Sequence, residues 1–276
     1  MEQDFADVVE RQPELLAHHL TAAGDTERAV DQWLTAGQRA GGRLAHVEAI
    51  AHLDRGLAML SSLPETPARD AVEIELRLAS GVSSITVRGL SSPLVPQAYG
   101  RARELAERRG DARQLFQATF GLWQNKAASG VARDARVLSE ELLQVAGRGE
   151  EDEFQLQAHH SAWTTGFFCG ELVEAHAHIT HGRRLYDPER HQSHRFIYGG
   201  HDPGACARYT AGQTNWFLGY ADKAAESAAE ALSLAGRLAH PFTREVALEY
   251  AAHVHLHRRE PEISLVVSVI DSATVL

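Results

Sequence analysis

Apolar positions along this chain recur with the spacing of an α-helix. In 135–146, Ala135, Leu138, Leu142 and Val145 stand at i, i+3, i+7 and i+10, and in 221–238, Ala228, Ala231, Leu232, Ala235 and Leu238 form a second stripe. At helical pitch each set lies on one face. The breaks between stripes carry helix punctuation. Pro13 opens PELLAHHLTAA and Gly24 closes it. Asp25 or Thr26 caps a helix to about Arg39, ended by Gly41-Gly42. A helix from about His46 to Ser62 stops before Pro64. Thr66 and Pro67 start another, to about Ser83, and Ser92-Pro93 opens one to about Arg109. Helices are predicted next at about 111–127, 131–146, 151–168 and 171–186. After Asp187-Pro188 the apolar pattern breaks, so 187–202 reads as a loop, followed by helices at about 203–218, 221–238 and 241–258. No strand is predicted before residue 263. Short connections make consecutive helices antiparallel hairpins.

A recurrence overlies this pattern. Gly24, Ala29 and Ala36 stand at offsets of five and then seven residues. Gly219, Ala224 and Ala231 repeat them, as do Gly170, Ala175 and Gly182, while Gly130 and Ala135 are completed by Leu142. This is the turn and second helix of a tetratricopeptide-like hairpin: the Gly ends helix one, and the small residues sit where two helices cross closely. The fullest match, ARYTAGQTNWFLGYADKAAESAAEALSLA, adds Gly212 in helix one. Spacing between hairpins is irregular, so the array is degenerate. The expected fold class is all-α, a TPR-like right-handed solenoid of about twelve helices in about six hairpins.

Composition agrees with that reading. Ala, Leu, Glu and Arg dominate the 276 residues, and these are strong helix formers. The net charge of −10, with no basic block, disfavours nucleic-acid binding. Apolar runs fall short of a membrane span, and the acidic N-terminus resembles neither a signal peptide nor a presequence. Cys169 and Cys206 are distant and form no CxxC, so a reducing cytoplasm is the expected compartment.

The chemistry sought along the chain is mostly missing. There is no P-loop GxxxxGK[ST], no GxSxG elbow and no HExxH. The sixteen histidines include His253, His255 and His257 on one helix, His178 and His181 at i, i+3, and the pairs His18-His19 and His159-His160. These read as surface histidines, since zinc wants three or four convergent ligands. The 253–257 group, beside Arg258 and Arg259, is the one to revisit. Both cysteines read as inert thiols in helical, apolar surroundings. Trp33, Trp123, Trp163 and Trp216 read first as core packing, and Glu140-Glu141 and 150–153 as solvated faces or caps. Asn215 and Trp216 are the candidate concave-face contacts. No catalytic residue, cofactor or metal ligand is assigned.

Several stretches carry a resemblance. RQPELLAHHLTAAGDTERAVDQWLTAGQRA, EAIAHLDRGLAMLSSLPETPARD, and LYDPERH with YGGHDPGACARY and WFLGYADKAAESAAEALSLAGRLAHPFT resemble one family over roughly residues 1–260. It is the C-terminal tetratricopeptide region of bacterial signalling proteins that join a class III adenylate/guanylate cyclase to a STAND-type ATPase. Ala221 stands where that family usually has Pro. The resemblance makes 1–12 the junction helix from an upstream ATPase region, which with the cyclase is absent from this chain, and 13–260 the helical array. Residues 261–276, PEISLVVSVIDSATVL without the family's Ala-rich helices, form a divergent tail. Two origins for it stay open: a prematurely ended or frameshifted reading frame, or a native terminal helix or strand. The resemblance implies a non-catalytic regulatory and protein-interaction module. Its partners would be another protein or the family's ATPase and cyclase domains. Self-association and marginal stability are expected of it alone. The alternative is a small-molecule sensor holding a ligand in the superhelix groove.

Overall fold

The computed structural model describes residues 12–147, 152–198 and 200–262. Residues 1–11 of the expected junction helix, all but the first two residues of the expected tail, and Glu150 and Glu151 of the acidic run lie outside the described residues. Among the described residues there are thirteen helices and no strand. They are α1 (Pro13–Ala23), α2 (Thr26–Gly42), α3 (His46–Leu60), α4 (Pro67–Arg88), α5 (Leu94–Arg109), α6 (Ala112–Ala128), α7 (Ala132–Ala146), α8 (Asp152–Phe168), α9 (Leu172–Leu185), α10 (His194–Ile197), α11 (Pro203–Phe217), α12 (Ala221–Leu238) and α13 (Pro241–His257).

Helix starts follow local chemistry. The Thr66 hydroxyl accepts from Arg69 N at 3.1 Å, ahead of Pro67 at the first helical position. Asp111 Oδ1 accepts from Gln114 N at 3.0 Å, and Asp202 Oδ1 from Ala205 N at 2.9 Å. Asp25 occupies its cap position without capping and pairs instead with Arg28 at 3.2 Å.

One turn recurs at the helix ends. Asp25 N donates to Leu20 O, Asp111 N to Ala106 O, Glu171 N to Gly166 O and Tyr220 N to Asn215 O, each over a left-handed Gly. The same bond joins Ala45 N to Ala40 O over Leu44, at φ 63°. The Gly41-Gly42 pair therefore does not break α2, which runs through Gly42. Leu44, Ala49 and Gly56 are a further copy of the turn-and-small-residue pattern, hidden because its turn residue is not Gly. Two more boundaries differ from expectation. Helix α4 continues to Arg88 and ends at Gly89, and the 187–202 loop contains the single turn α10.

The chain divides into two compact units, one of residues 1–129 with 196–199, the other of 130–195 with 200–276. In the first, consecutive helices α1 to α6 pack together, α2 also touches α4, and α4 touches α6. In the second, α8, α11 and α13 form such a row, with α9 packed on α8 and α11, and α12 on α11 and α13. This alternation is the packing of helical-hairpin repeats.

The signature residues lie at turns and in the packed interior. Gly24, Gly130, Gly170 and Gly219 are left-handed turn residues. Ala29, Ala36, Ala135, Ala175, Ala224 and Ala231 are buried. Gly182 lies under Trp163, where a Cβ would run into the indole, and Gly212 lies against Val254 and the α12 backbone. Other bulky side chains use similar sockets. Tyr99 of α5 is held between Gly81 of α4 and Gly121 of α6, and Tyr186 lies over Gly204. Small residues thus admit large aromatics at close helix crossings.

Candidate functional site

Two features of the second unit stand out. At the C-terminal ends of α8, α11 and α13, large apolar side chains face solvent. Phe168, Phe217, Tyr220 and Leu256 are 64%, 54%, 52% and 59% exposed. Phe168 and Phe217 belong to a continuous aromatic row. Phe168 contacts Phe167, with ring centroids 5.4 Å apart; Phe167 contacts Phe217 at 6.2 Å; Phe217 meets His257 at 5.6 Å. His257 in turn stacks on Trp216 at 5.7 Å and 10°. Gly170 and Gly219 form the turns that follow α8 and α11, just past Phe168 and Phe217.

Of the two candidate contacts, Trp216 is half-buried and part of this row. Asn215 is buried inside the hairpin, where its amide nitrogen donates to Ser227 Oγ at 3.3 Å. Asn215 Oδ1 and the Thr214 hydroxyl are buried with no hydrogen-bond partner in the protein.

The second feature is a buried histidine cluster, which corrects the reading of these side chains as surface groups. His160 of α8 is 4% exposed and stacks on Trp163. Its Nδ1 donates to Gln157 Oε1 at 3.0 Å, and Gln157 Nε2 donates to His194 Nδ1 at 2.8 Å. An amide oxygen can only accept, so His160 carries its proton on Nδ1 and turns a bare Nε2 away from Gln157. That Nε2 faces His201 Nε2 at 3.3 Å. Cys206, one turn into α11, completes the group; the two imidazole nitrogens and Sγ all lie within 4.8 Å of one another.

Burial, followed by His201 and His194, holds His160 well below the ordinary histidine range, and burial with His240 brings His201 to about 4. Both are neutral imidazoles at pH 7. Burial pushes the Cys206 thiol up to about 11, against surrounding side chains, Tyr209 and Trp163 among them, that favour the thiolate. This cysteine is unreactive as a nucleophile. Cys169, read as an inert thiol in helical, apolar surroundings, stands in the partly exposed turn after α8.

The other histidines separate. His159 Nδ1 lies 2.7 Å from His178 Nδ1, and its ring stacks on His181 at 4.1 Å. Burial, then His181 and His178, lowers His159 to about 4. His18 is exposed, edge-on to Trp33. The 253–257 group does not converge: His255 pairs with Glu260 at 2.8 Å, His257 stacks on Trp216, and His253 is exposed near Tyr250. Sequence spacing could not reveal the buried cluster, because His160 and His201 are 41 residues apart.

No family model matches the chain. The protein described as uncharacterized protein R02095, from Rhizobium meliloti (strain 1021), is 28% identical over 252 residues. The match covers 90% of this chain, which spans only 24% of that relative's length. Among solved structures, a Rap protein complexed with competence and sporulation factor superposes with a TM-score of 0.62 at 11% identity. That match covers 88% of this chain and 74% of the Rap chain. The likeness is one of fold, and it agrees with the all-α, TPR-like helical repeat read from the turns and small residues. No helix among the described residues is long and apolar enough to cross a membrane.

Proposed function

We propose that this chain is a non-catalytic helical-repeat module that binds a protein partner and acts as the regulatory arm of a larger signalling protein. The observation that carries the reading is the exposed aromatic row on α8, α11 and α13. Aromatic side chains at a polar surface are the usual anchors of protein interfaces, and isolated monomers rarely leave such a row uncovered. Two comparisons support it. A Rap protein of the same fold is complexed with competence and sporulation factor, and the bacterial relative carries the matching region as about a quarter of a longer chain. The finer assignment treats 13–260 as the C-terminal sensory array of cyclase–ATPase proteins, working in the cytoplasm on the ATPase and cyclase domains. It rests on the resemblance of the quoted segments.

The second reading is small-molecule sensing. The buried, unpartnered Thr214 Oγ1 and Asn215 Oδ1 favour it, because such groups ask for a water or a ligand.

Selection of peptides on the full-length chain, followed by calorimetric titration, tests both. The expected result is saturable binding of a peptide class that Phe217→Ser and Phe168→Ser each weaken at least tenfold, with helicity unchanged. Absence of saturable peptide binding, or binding indifferent to both substitutions, overturns the interaction reading. A rise in Tm with a metabolite in the absence of peptide binding would install the sensor reading instead.

A further inference from the structure

The buried cluster has the donors, the spacing and the supporting hydrogen bonds of a metal centre. We propose that His160 Nε2, His201 Nε2 and Cys206 Sγ bind one Zn2+-class transition-metal ion in tetrahedral geometry, with the fourth position left for water or an incoming ligand. The proposal stands independently of the interaction reading.

The first argument is distance. Two imidazole nitrogens on one tetrahedral zinc, each about 2.0–2.1 Å from it, lie about 3.3–3.4 Å apart. His160 Nε2 and His201 Nε2 lie 3.3 Å apart. A thiolate on the same ion would stand about 3.6 Å from each nitrogen. Cys206 Sγ is within 4.8 Å of both, so completing the triangle needs it to approach by about 1.2 Å at most.

The second argument is orientation. Histidines that ligate metals donate their other N–H to a fixed acceptor, which sets the tautomer. His160 does this through Nδ1 to Gln157 Oε1, and Gln157 is held in turn by His194. The bare nitrogen of His160 therefore points at the site before any ion arrives.

The third argument is donor type. One thiol and two imidazoles, with no carboxylate in the group, suit zinc or copper and not Mg2+ or Ca2+. On binding, the ion takes the two nitrogen lone pairs and the sulfur pair. The Cys206 proton leaves to solvent, so one proton is released per ion. His201 is only partly buried and gives the ion a way in. The filled site would tie α8 to the residues that open α11.

The competing arrangement is a plain hydrogen bond from His201 Nε2–H to His160 Nε2, with Cys206 a bystander. Co2+ distinguishes the two, because a tetrahedral thiolate site gives intense visible d–d bands and a near-ultraviolet sulfur-to-cobalt charge-transfer band. The full chain, stripped with chelator, is titrated with Co2+ and then Zn2+. We expect saturation at one equivalent, both band sets, and their loss when Zn2+ displaces Co2+. Cys206→Ser should abolish the charge-transfer band, and Gln157→Ala, which leaves all three ligands, should weaken binding about 10- to 100-fold. His253→Gln and His257→Gln should change nothing. Circular dichroism confirms that each variant is folded, and a Zn2+-dependent rise in the wild-type Tm reports the site without any substitution. The proposal fails if Co2+ gives no charge-transfer band, if Cys206→Ser keeps it, or if the outer histidines prove to hold the ion.

Discussion

Leu44 shows how much can hang on one dihedral. Its φ of 63° puts a branched side chain where Gly24, Gly110, Gly170 and Gly219 sit in the equivalent turns. A left-handed conformation costs a non-glycine residue about 1–2 kcal/mol, partly offset by the greater freedom glycine gives the unfolded chain. Leu44→Gly should therefore raise stability by about 0.5–1 kcal/mol, seen as a higher urea midpoint at unchanged slope. A lower midpoint would mean that packing by the Leu44 side chain outweighs the strain. The same residue explains a gap in what the sequence showed. A search keyed on glycine finds the turns at 24, 130, 170 and 219 and passes over the one at 44. Histidines are harder still, because His18 and His160 look alike in sequence and only burial separates them.

At the scale of one helix, α4 is organised around a buried carboxylate. Glu73 accepts from Arg77 Nε at 2.8 Å, from Arg69 at 3.2 Å on the same helix, and from Arg101 of α5 at 3.3 Å. Burial alone would raise its pKa, but the bonds and charges of Arg77 and Arg101 win and lower it. Removing the charge leaves three guanidinium groups facing a neutral amide. Two of them reach partway to solvent, which limits the loss. Glu73→Gln should cost about 1–3 kcal/mol in urea unfolding, below the range for a fully enclosed pair. A change under about 0.5 kcal/mol would show that the arginines re-solvate freely. The periodicity placed α4 correctly but ended it five residues early. Ser83 and Ser84 look like a terminus in sequence, yet both are buried within the continuing helix.

Across the whole molecule, the buried imidazoles set the response to acid. His159 and His201 titrate at about 4, and His46 and His178 are also lowered, chiefly by burial. Unfolded, each takes a proton near 6.5. Between those values the unfolded chain binds more protons, so stability is complete above about pH 6.5 and falls as pH drops toward 4. Tm should decline measurably from pH 7 to pH 5, a window above the carboxylate range. His178→Gln, which removes one ring of the His159–His178 pair, should flatten that decline. A Tm independent of pH across the window would show that these rings protonate freely in the folded state.

Helix type, most boundaries, the turn glycines and the small residues at crossings were determined by the sequence itself, because each depends on neighbours within about four positions or on a fixed local offset. Gly182 and Ala231 could be assigned as crossing residues with no knowledge of what crosses them. The tertiary structure alone decided that Trp163 fills the Gly182 socket, that the ends of α8, α11 and α13 join into one aromatic row, and that Asn215 turns inward while Trp216 stays partly outside. It also brought His160, His201 and Cys206 together. Their meeting depends on how α8 packs against α11, and that packing joins residues some forty positions apart with no periodic signal to announce it.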